Sequence, residues 1–513
     1  MKKLILAGLV LTAVGSQPLS ASADTFKTQR CMNMGNALDA PNEGVWGHTI
    51  EERSFRTVAA AGFDTVRIPV RWSAHTSGHP DYTIDEPFFR RVTEVINQAL
   101  AQDLQIILNI HHFEELNEDP EANRAKFLAL WDQIASRYQN LPDSVYFEII
   151  NEPNANFKGD LMRDIVAEAF AQIRETNPTR ILIMGGDNWS GINSLSTIPV
   201  IDDPNQVHTF HYYDPFQFTH QKASWTDLRN SGTVQWGSRA DTEELRAAAE
   251  KARRAQAELG FPVFLGELGA YEKAPYEDVV HYTYETRKAF EDAGISWCVW
   301  NFTATFPFYD SASSQWDEQK LAALGLSPNG ERVERQPQRA PRRTRAGNSL
   351  DLAIDELRRE LGTDAELMMS PEADRLATYG PIEGYHVDDK DVPGGHALEV
   401  RVRRAGQNPW DGGVSGPLTS DIKKGDTLAM TFWAQSLGGP GEIANVGLQM
   451  NTAPYSAIDQ LMSVPLDPTW KPYAVFVEAD KDYRAMEAGY TFHLAGAAQT
   501  VRIGPVVIFN IGG

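Results

Sequence analysis

The chain has 513 residues, 42% hydrophobic and 23% charged, a globular composition that excludes wholesale disorder. A net charge of −22 repels phosphate backbones and anionic lipid surfaces, so neither nucleic acid nor a membrane is expected as a partner. The length asks for two or three domains, and two cysteines exclude a disulfide scaffold or a four-cysteine zinc knot.

Residues 1–23 read as a secretory signal: Lys2 and Lys3, an apolar run from Leu4 to Val14, then Ala21-Ser22-Ala23 before Asp24. The apolar run is well short of the ~20 residues of a spanning helix, so a secreted or periplasmic protein is expected. From 24 to 330, short apolar runs alternate with segments of helical period. The runs predict strands at Cys31–Asn36, Thr65–Val70, Gln105–Ile110, Val145–Ile150, Arg180–Gly185, Val207–Tyr212, Pro262–Glu267 and Ser296–Asn301. They are apolar on both faces, as parallel strands covered by helices are. Eight such strands over about 300 residues predict an α/β fold, a (β/α)8 TIM barrel. An open doubly wound sheet competes less well, because no Gly-rich phosphate loop follows the first strand.

Residues 331–348 are rich in arginine and proline and read as a linker. A helix is expected at Leu350–Leu361, where Leu350, Ile354, Leu357 and Leu361 share a face. The rest of 349–513 carries short runs separated by Gly, Pro, Asn and Asp: Ala397–Val402, Thr427–Trp433, Val446–Met450, Tyr473–Glu478, Tyr490–Leu494 and Val501–Val507. That spacing predicts an all-β sandwich of jelly-roll, galactose-binding-like type.

A barrel of this kind builds its site at the C-terminal strand ends. There the sequence places Asn36 and Asp39, Arg67, His111 and His112, Asn151 and Glu152, His211 and Tyr213, Glu267 and Trp300. Any one of these has a plain structural explanation; together they converge on one cleft. Glu152 and Glu267 are the pair that glycoside hydrolysis needs, one protonating the leaving oxygen while the other attacks or activates water. Arg67 and Tyr213 would keep Glu267 charged, Glu152 would be the acid, Asn151 would hold a sugar hydroxyl, and Trp300 would floor the ring. Trp189 and Trp225 are further aromatic candidates. Adjacent histidines start off in opposite directions, so metal binding by His111 and His112 ranks below hydrogen bonding to sugar or acid. No cofactor is expected; a structural calcium in the C-terminal domain is left open. Cys31 and Cys298 fall on neighbouring strands, as a disulfide or as two buried thiols.

These residues resemble glycoside hydrolase family 5, the retaining β-glycanases of the large barrel clan. The resemblance rests on Asn36–Pro41, Arg67–Trp72, Asn109–His112, Asn151-Glu152-Pro153, His211–Phe216 and Gly266–Gly269. It implies Glu152 as acid/base and Glu267 as nucleophile, with Arg67, His111, Asn151, His211, Tyr213 and Trp300 at shared positions. Asn42–Gly47 and His208–His220 look closest to bacterial endoglucanases, some of which accept mannans; where that group often carries Glu, this chain has the shorter Asp39. The resemblance alone narrows the substrate to β-1,4-glucan, with mannan or xyloglucan as the alternative, for an enzyme expected to be monomeric. The C-terminal part resembles carbohydrate-binding modules of families 4 and 9, through Pro393–Leu398, Asn408-Pro409-Trp410, Lys424-Gly425-Asp426, Gly447-Leu448-Gln449 and Trp470-Lys471. Trp410, Gln449 and Tyr455 are its candidate sugar contacts, with Trp433 and Trp470 expected in its core.

Overall fold

The computed structural model describes residues 26–333, 350–362, 365–369 and 373–512. The signal segment and residues 334–348 of the linker lie outside them. Eight parallel strands close into a barrel: β1 (Arg30–Asn33), β2 (Thr65–Ile68), β3 (Gln105–Asn109), β4 (Val145–Glu148), β5 (Leu182–Gly185), β6 (Gln206–Tyr212), β7 (Val263–Leu268) and β8 (Ser296–Val299). They are buried on both faces, which is why they read as unbroken apolar runs. Four of them, β1, β2, β4 and β8, end two or three residues earlier than the apolar pattern suggests, so the polar residues beyond them sit on loops at the barrel mouth.

The outer helices follow their sequence periods. Glu86–Leu100 buries Phe89, Val92, Val95, Ile96 and Ala99. Arg239–Leu259 starts at a reciprocal Ser238–Asp241 capping box and stops at Gly260, whose φ of 73° a β-carbon would strain. Between β5 and β6 the ring is thin, with a 3-10 turn at Ile192–Thr197 in place of a long helix. In-register pairing of β1 with β8 sets Cys31 opposite Cys298, with α-carbons 4.1 Å apart, and the two form a disulfide. The alternative of two buried thiols is therefore set aside.

The C-terminal region is two antiparallel sheets. One runs Glu383–Asp388, His396–Val402, Gln499–Asn510, Thr427–Leu437, Lys471–Glu478, with Glu366–Met369 also on Gln499–Asn510. The other runs Ala377–Tyr379, Gly413–Pro417, Ala488–His493, Gly441–Met450, Met462–Leu466. Val400, Met430, Phe432, Val446, Leu448 and Phe492 fill the space between them. Helix Leu350–Leu361 lays Ile354 and its leucines on the outer face of the first sheet, against Ala429, Val507, Phe509 and a partly buried Trp433. Trp470 is half-buried and bonds Asp389. No helix among the described residues is long and apolar enough to cross a membrane.

Candidate active site

A polar layer closes the barrel beneath its mouth. Arg67, on β2, is fully buried and would be prohibitively costly alone, so its whole fork is engaged. It donates to both oxygens of Glu148 at 2.6 and 2.8 Å, to Glu267 Oε1 at 2.7 Å, to Asn151 Oδ1 at 2.6 Å and to Asn33 Oδ1 at 2.9 Å. Asn33 also donates to the Gly266 carbonyl, and Asn109 donates to Glu148. Arg67 thus lies under the site, holding carboxylates, too deeply buried to touch a sugar.

Above this layer stand Glu152 and Glu267, with His211 between them. Its Nδ1 is 2.7 Å from Glu152 and 3.7 Å from Glu267, and one donor atom from each of the three lies within 4.8 Å of the others. Tyr213 donates to Glu267 Oε2 at 2.9 Å. The ring of His211 passes over Gly266, where any β-carbon would lie 3.1 Å from Nε2 and 2.6 Å from Thr209 Oγ1. Burial pushes Glu152 up to about 7 and lowers His211, so a neutral imidazole shares a hydrogen bond with Glu152. Burial also raises Glu267, but Arg67 and Tyr213 bond it directly and favour its charged form, leaving Glu152 the more readily protonated.

Trp300 stacks on His111 with ring centroids 5.5 Å apart and planes at 6°, over Gly35, where a β-carbon would fall 2.4 Å from the indole. Tyr271 and Phe306 pack beside it. Asn36 donates to Thr305. Asp39 is fully buried, and its two oxygens accept the Asn36 and Ala37 amides, so it shapes the β1 loop and is not placed to reach a sugar. Burial pushes its carboxyl up to about 6.

The two histidines do not diverge as expected. Because β3 ends at Asn109, His111 and His112 sit on a loop with rings 4.7 Å apart, and a donor atom from each lies within 4.8 Å of the other and of an Asp39 oxygen. His111 contacts Asn109, not the acid. Trp189 and Trp225 are both exposed: Trp189 follows Asn188 in a left-handed turn tied to the Pro153 carbonyl, and Trp225 packs edge-on against Tyr271. Sequence reasoning missed Glu148, Asn33 and Asn109; the signal for Glu148 was a carboxylate inside a strand buried on both faces, which requires a buried cation. It also left out exposed Trp46, 5.5 Å from His112. In the sandwich, Trp410 and Tyr455 are 56% and 55% exposed. Trp410 stands against His493, which pairs across with Asn445, two pleats from Gln449 on the sheet face away from the core.

A family model described as cellulase (glycosyl hydrolase family 5) matches residues 22–305. The chain belongs to glycosyl hydrolase family 5. As a glycoside hydrolase of this family it is 36% identical over 293 residues to Endoglucanase H of Acetivibrio thermocellus, covering 56% of this chain and 31% of that protein. This chain thus matches about a third of that relative's length. A solved structure of Thermotoga maritima Cel5A in complex with cellobiose is 38% identical with a TM-score of 0.57, covering 60% of this chain and 100% of the other. The same enzyme in complex with mannotriose is 39% identical, also at 0.57, covering 58% and 97%.

Proposed function

We propose that the chain is a secreted endo-β-1,4-glucanase acting by retaining double displacement. The observation that carries this is the spacing of Glu152 and Glu267: oxygens within 4.8 Å leave no room for the attacking water that an inverting pair encloses. Glu267, held charged by Arg67 and Tyr213, attacks the anomeric carbon while Glu152 gives its proton to the departing glycosidic oxygen. The resulting glycosyl ester is cleaved by water, whose proton returns to Glu152. No step calls for a metal or cofactor. Trp300 supplies the floor at the cleavage point, Asn36, Asn151 and His111 the polar surroundings, and the exposed Trp189 and Trp225 outlying platforms. The sandwich reads as a glucan-binding module, with Trp410, Gln449 and Tyr455 as its contacts.

Mixed specificity is the second reading, favoured by a 39% identical enzyme that has been captured with mannotriose. Proton NMR of cellopentaose hydrolysis tests the mechanism: the first product formed is the β-anomer, and an initial α-anomer overturns it. Glu267→Gln abolishes release of reducing ends from carboxymethylcellulose; an unchanged rate there removes the proposal. Initial rates on barley glucan and glucomannan then rank the substrates.

A further inference from the structure

The barrel and the sandwich meet along helix Arg239–Leu259, and beside it they share a cavity with the loop that follows Tyr213. Arg375, in the turn Ala373–Arg375 of the sandwich, leaves only 4% of its side chain exposed. It pairs with Asp241, fully buried, and with Glu244 at 2.7 Å, both on the barrel helix. Asp241 is the partner of the cap residue Ser238 in this helix's capping box and also accepts the Gly237 amide at 2.6 Å. Asp214 and Pro215, immediately after Tyr213, line the same small cavity as Arg375 and the sandwich's Tyr490. A cavity of about 170 Å³ is walled by Asp214, Phe216 and Glu244 from one side and Met369, Arg375 and Tyr490 from the other. Around this centre, Arg484 pairs with Glu258, Arg254 donates to the Ala485 carbonyl, and Ala485 and Met486 complete the barrel's own apolar core.

We propose that Arg375 is a positioning residue for the hydrolytic site, inserted by the sandwich into an acidic pocket of the barrel and holding the Tyr213–Pro215 corner that orients Glu267. Three barrel carboxylates, Asp214, Asp241 and Glu244, share that pocket, and burial pushes Asp214 and Glu244 up, with the charge of Asp214 adding to the effect on Glu244. Like charges in a dry site repel, and the guanidinium is the cation that lets them pack. A buried pair of this kind adds little net stability over an apolar contact, but removing one partner strands the others, so it fixes where the sandwich docks. The corner it holds carries Tyr213, whose hydroxyl is 2.9 Å from Glu267. A displaced tyrosine would leave the nucleophile one donor short, with sugar contacts elsewhere in the cleft untouched.

The kinetic arm of the test rests on Glu267 being the nucleophile; the unfolding arm does not. In the full-length protein, Arg375→Met is expected to lower kcat on 4-nitrophenyl β-cellobioside by about 10- to 10²-fold with KM within about twofold, well below its unfolding temperature. Covalent labelling of Glu267 by a 2-fluoro-cellobioside slows in parallel, and Arg375→Lys recovers part of the loss. Calorimetry of Arg375→Met shows the single unfolding transition of the parent splitting or falling by several degrees. A kcat equal to the parent's overturns the coupling. Losses that merely follow the unfolded fraction also overturn it, and an unaltered transition overturns the docking role. An inactive parent chain would instead sink the proposed function, while calorimetry still reads the clasp.

Discussion

Burial acts on two carboxylates of the same kind and separates their roles through their partners. Glu267 is gripped by a guanidinium and a phenol; Glu152 has only a neutral imidazole at 2.7 Å and is pushed up to about 7. If Glu152 is the acid, kcat/KM falls on the alkaline side with a midpoint near pH 7, and Glu152→Gln loses that limb along with about 10²- to 10⁴-fold of the rate. A pH–rate profile on barley glucan reads both effects. The same shift has a stability consequence. The folded chain keeps a proton on Glu152 that the unfolded chain, with a carboxyl pKa near ~4.3, has released. Its contribution to stability is therefore fully present below that value, declines as pH rises, and levels off above about 7. Urea unfolding at pH 5 and pH 8 is expected to show a smaller difference for Glu152→Gln than for the parent. Beneath the pair, Glu148→Gln leaves Arg67 without its bidentate partner and is expected to cost about 3–5 kcal/mol in chemical denaturation. Glu148 also marks what residue-level reading missed. Glu152 and Tyr213 stand just past strand ends and Glu267 near one, where the fold advertises function, whereas Glu148, Asn33 and Asn109 fall within the apolar runs that the sequence pattern assigns to strands, as the last residues of β4, β1 and β3, and matter only through the arginine they surround.

At the scale of elements, β1 to β8 were legible because strands buried on both faces must be apolar and helices between them must carry one apolar stripe. β5 and β6 stop where the pattern places them, but the other ends shift by one to three residues, since they depend on pairing across the barrel. Past the end of β3 at Asn109, the loop brings together the rings of two histidines whose adjacency alone suggested divergence. In the sandwich the missed strands are short or interrupted by Gly and Pro, as in Ala377–Tyr379, Gly413–Pro417 and Met462–Leu466, so local pattern gives no period to follow. Pairing also settles the cysteines. The Cys31–Cys298 bond ties the first barrel strand to the last across 267 residues. Replacing both cysteines by serine is expected to cost about 2–5 kcal/mol, read by denaturant midpoint under oxidising conditions. A midpoint equal to the parent's would mean that the closed strand ladder alone fixes the seam. Gly35 is the matching case in a loop: Gly35→Ala drives a methyl into the Trp300 indole and is expected to raise KM for cello-oligosaccharides.

For the whole molecule, the excess of acid says little about a neutral polysaccharide, yet it bears on how the two halves join: Asp241, Glu244 and Glu258 of the barrel meet Arg375 and Arg484 of the sandwich, with one pair, Arg254 and Asp421, of the opposite sense. The docked sandwich turns another surface outward, where Trp410 is more than half exposed beside His493 and Asn445. An indole left in water against a polar sheet face buries nothing of its own, and a pyranose ring is an apolar plate of suitable size to cover it. If this face binds glucan, Trp410→Ala removes a stacking contact of about 0.5–1.5 kcal/mol, or about 2- to 10-fold in Kd. Binding isotherms on insoluble β-glucan measure it, with unfolding curves confirming that the variant folds. Equal retention of the two proteins would show that Trp410 is not a sugar platform and that the sandwich serves the barrel through its docking face alone.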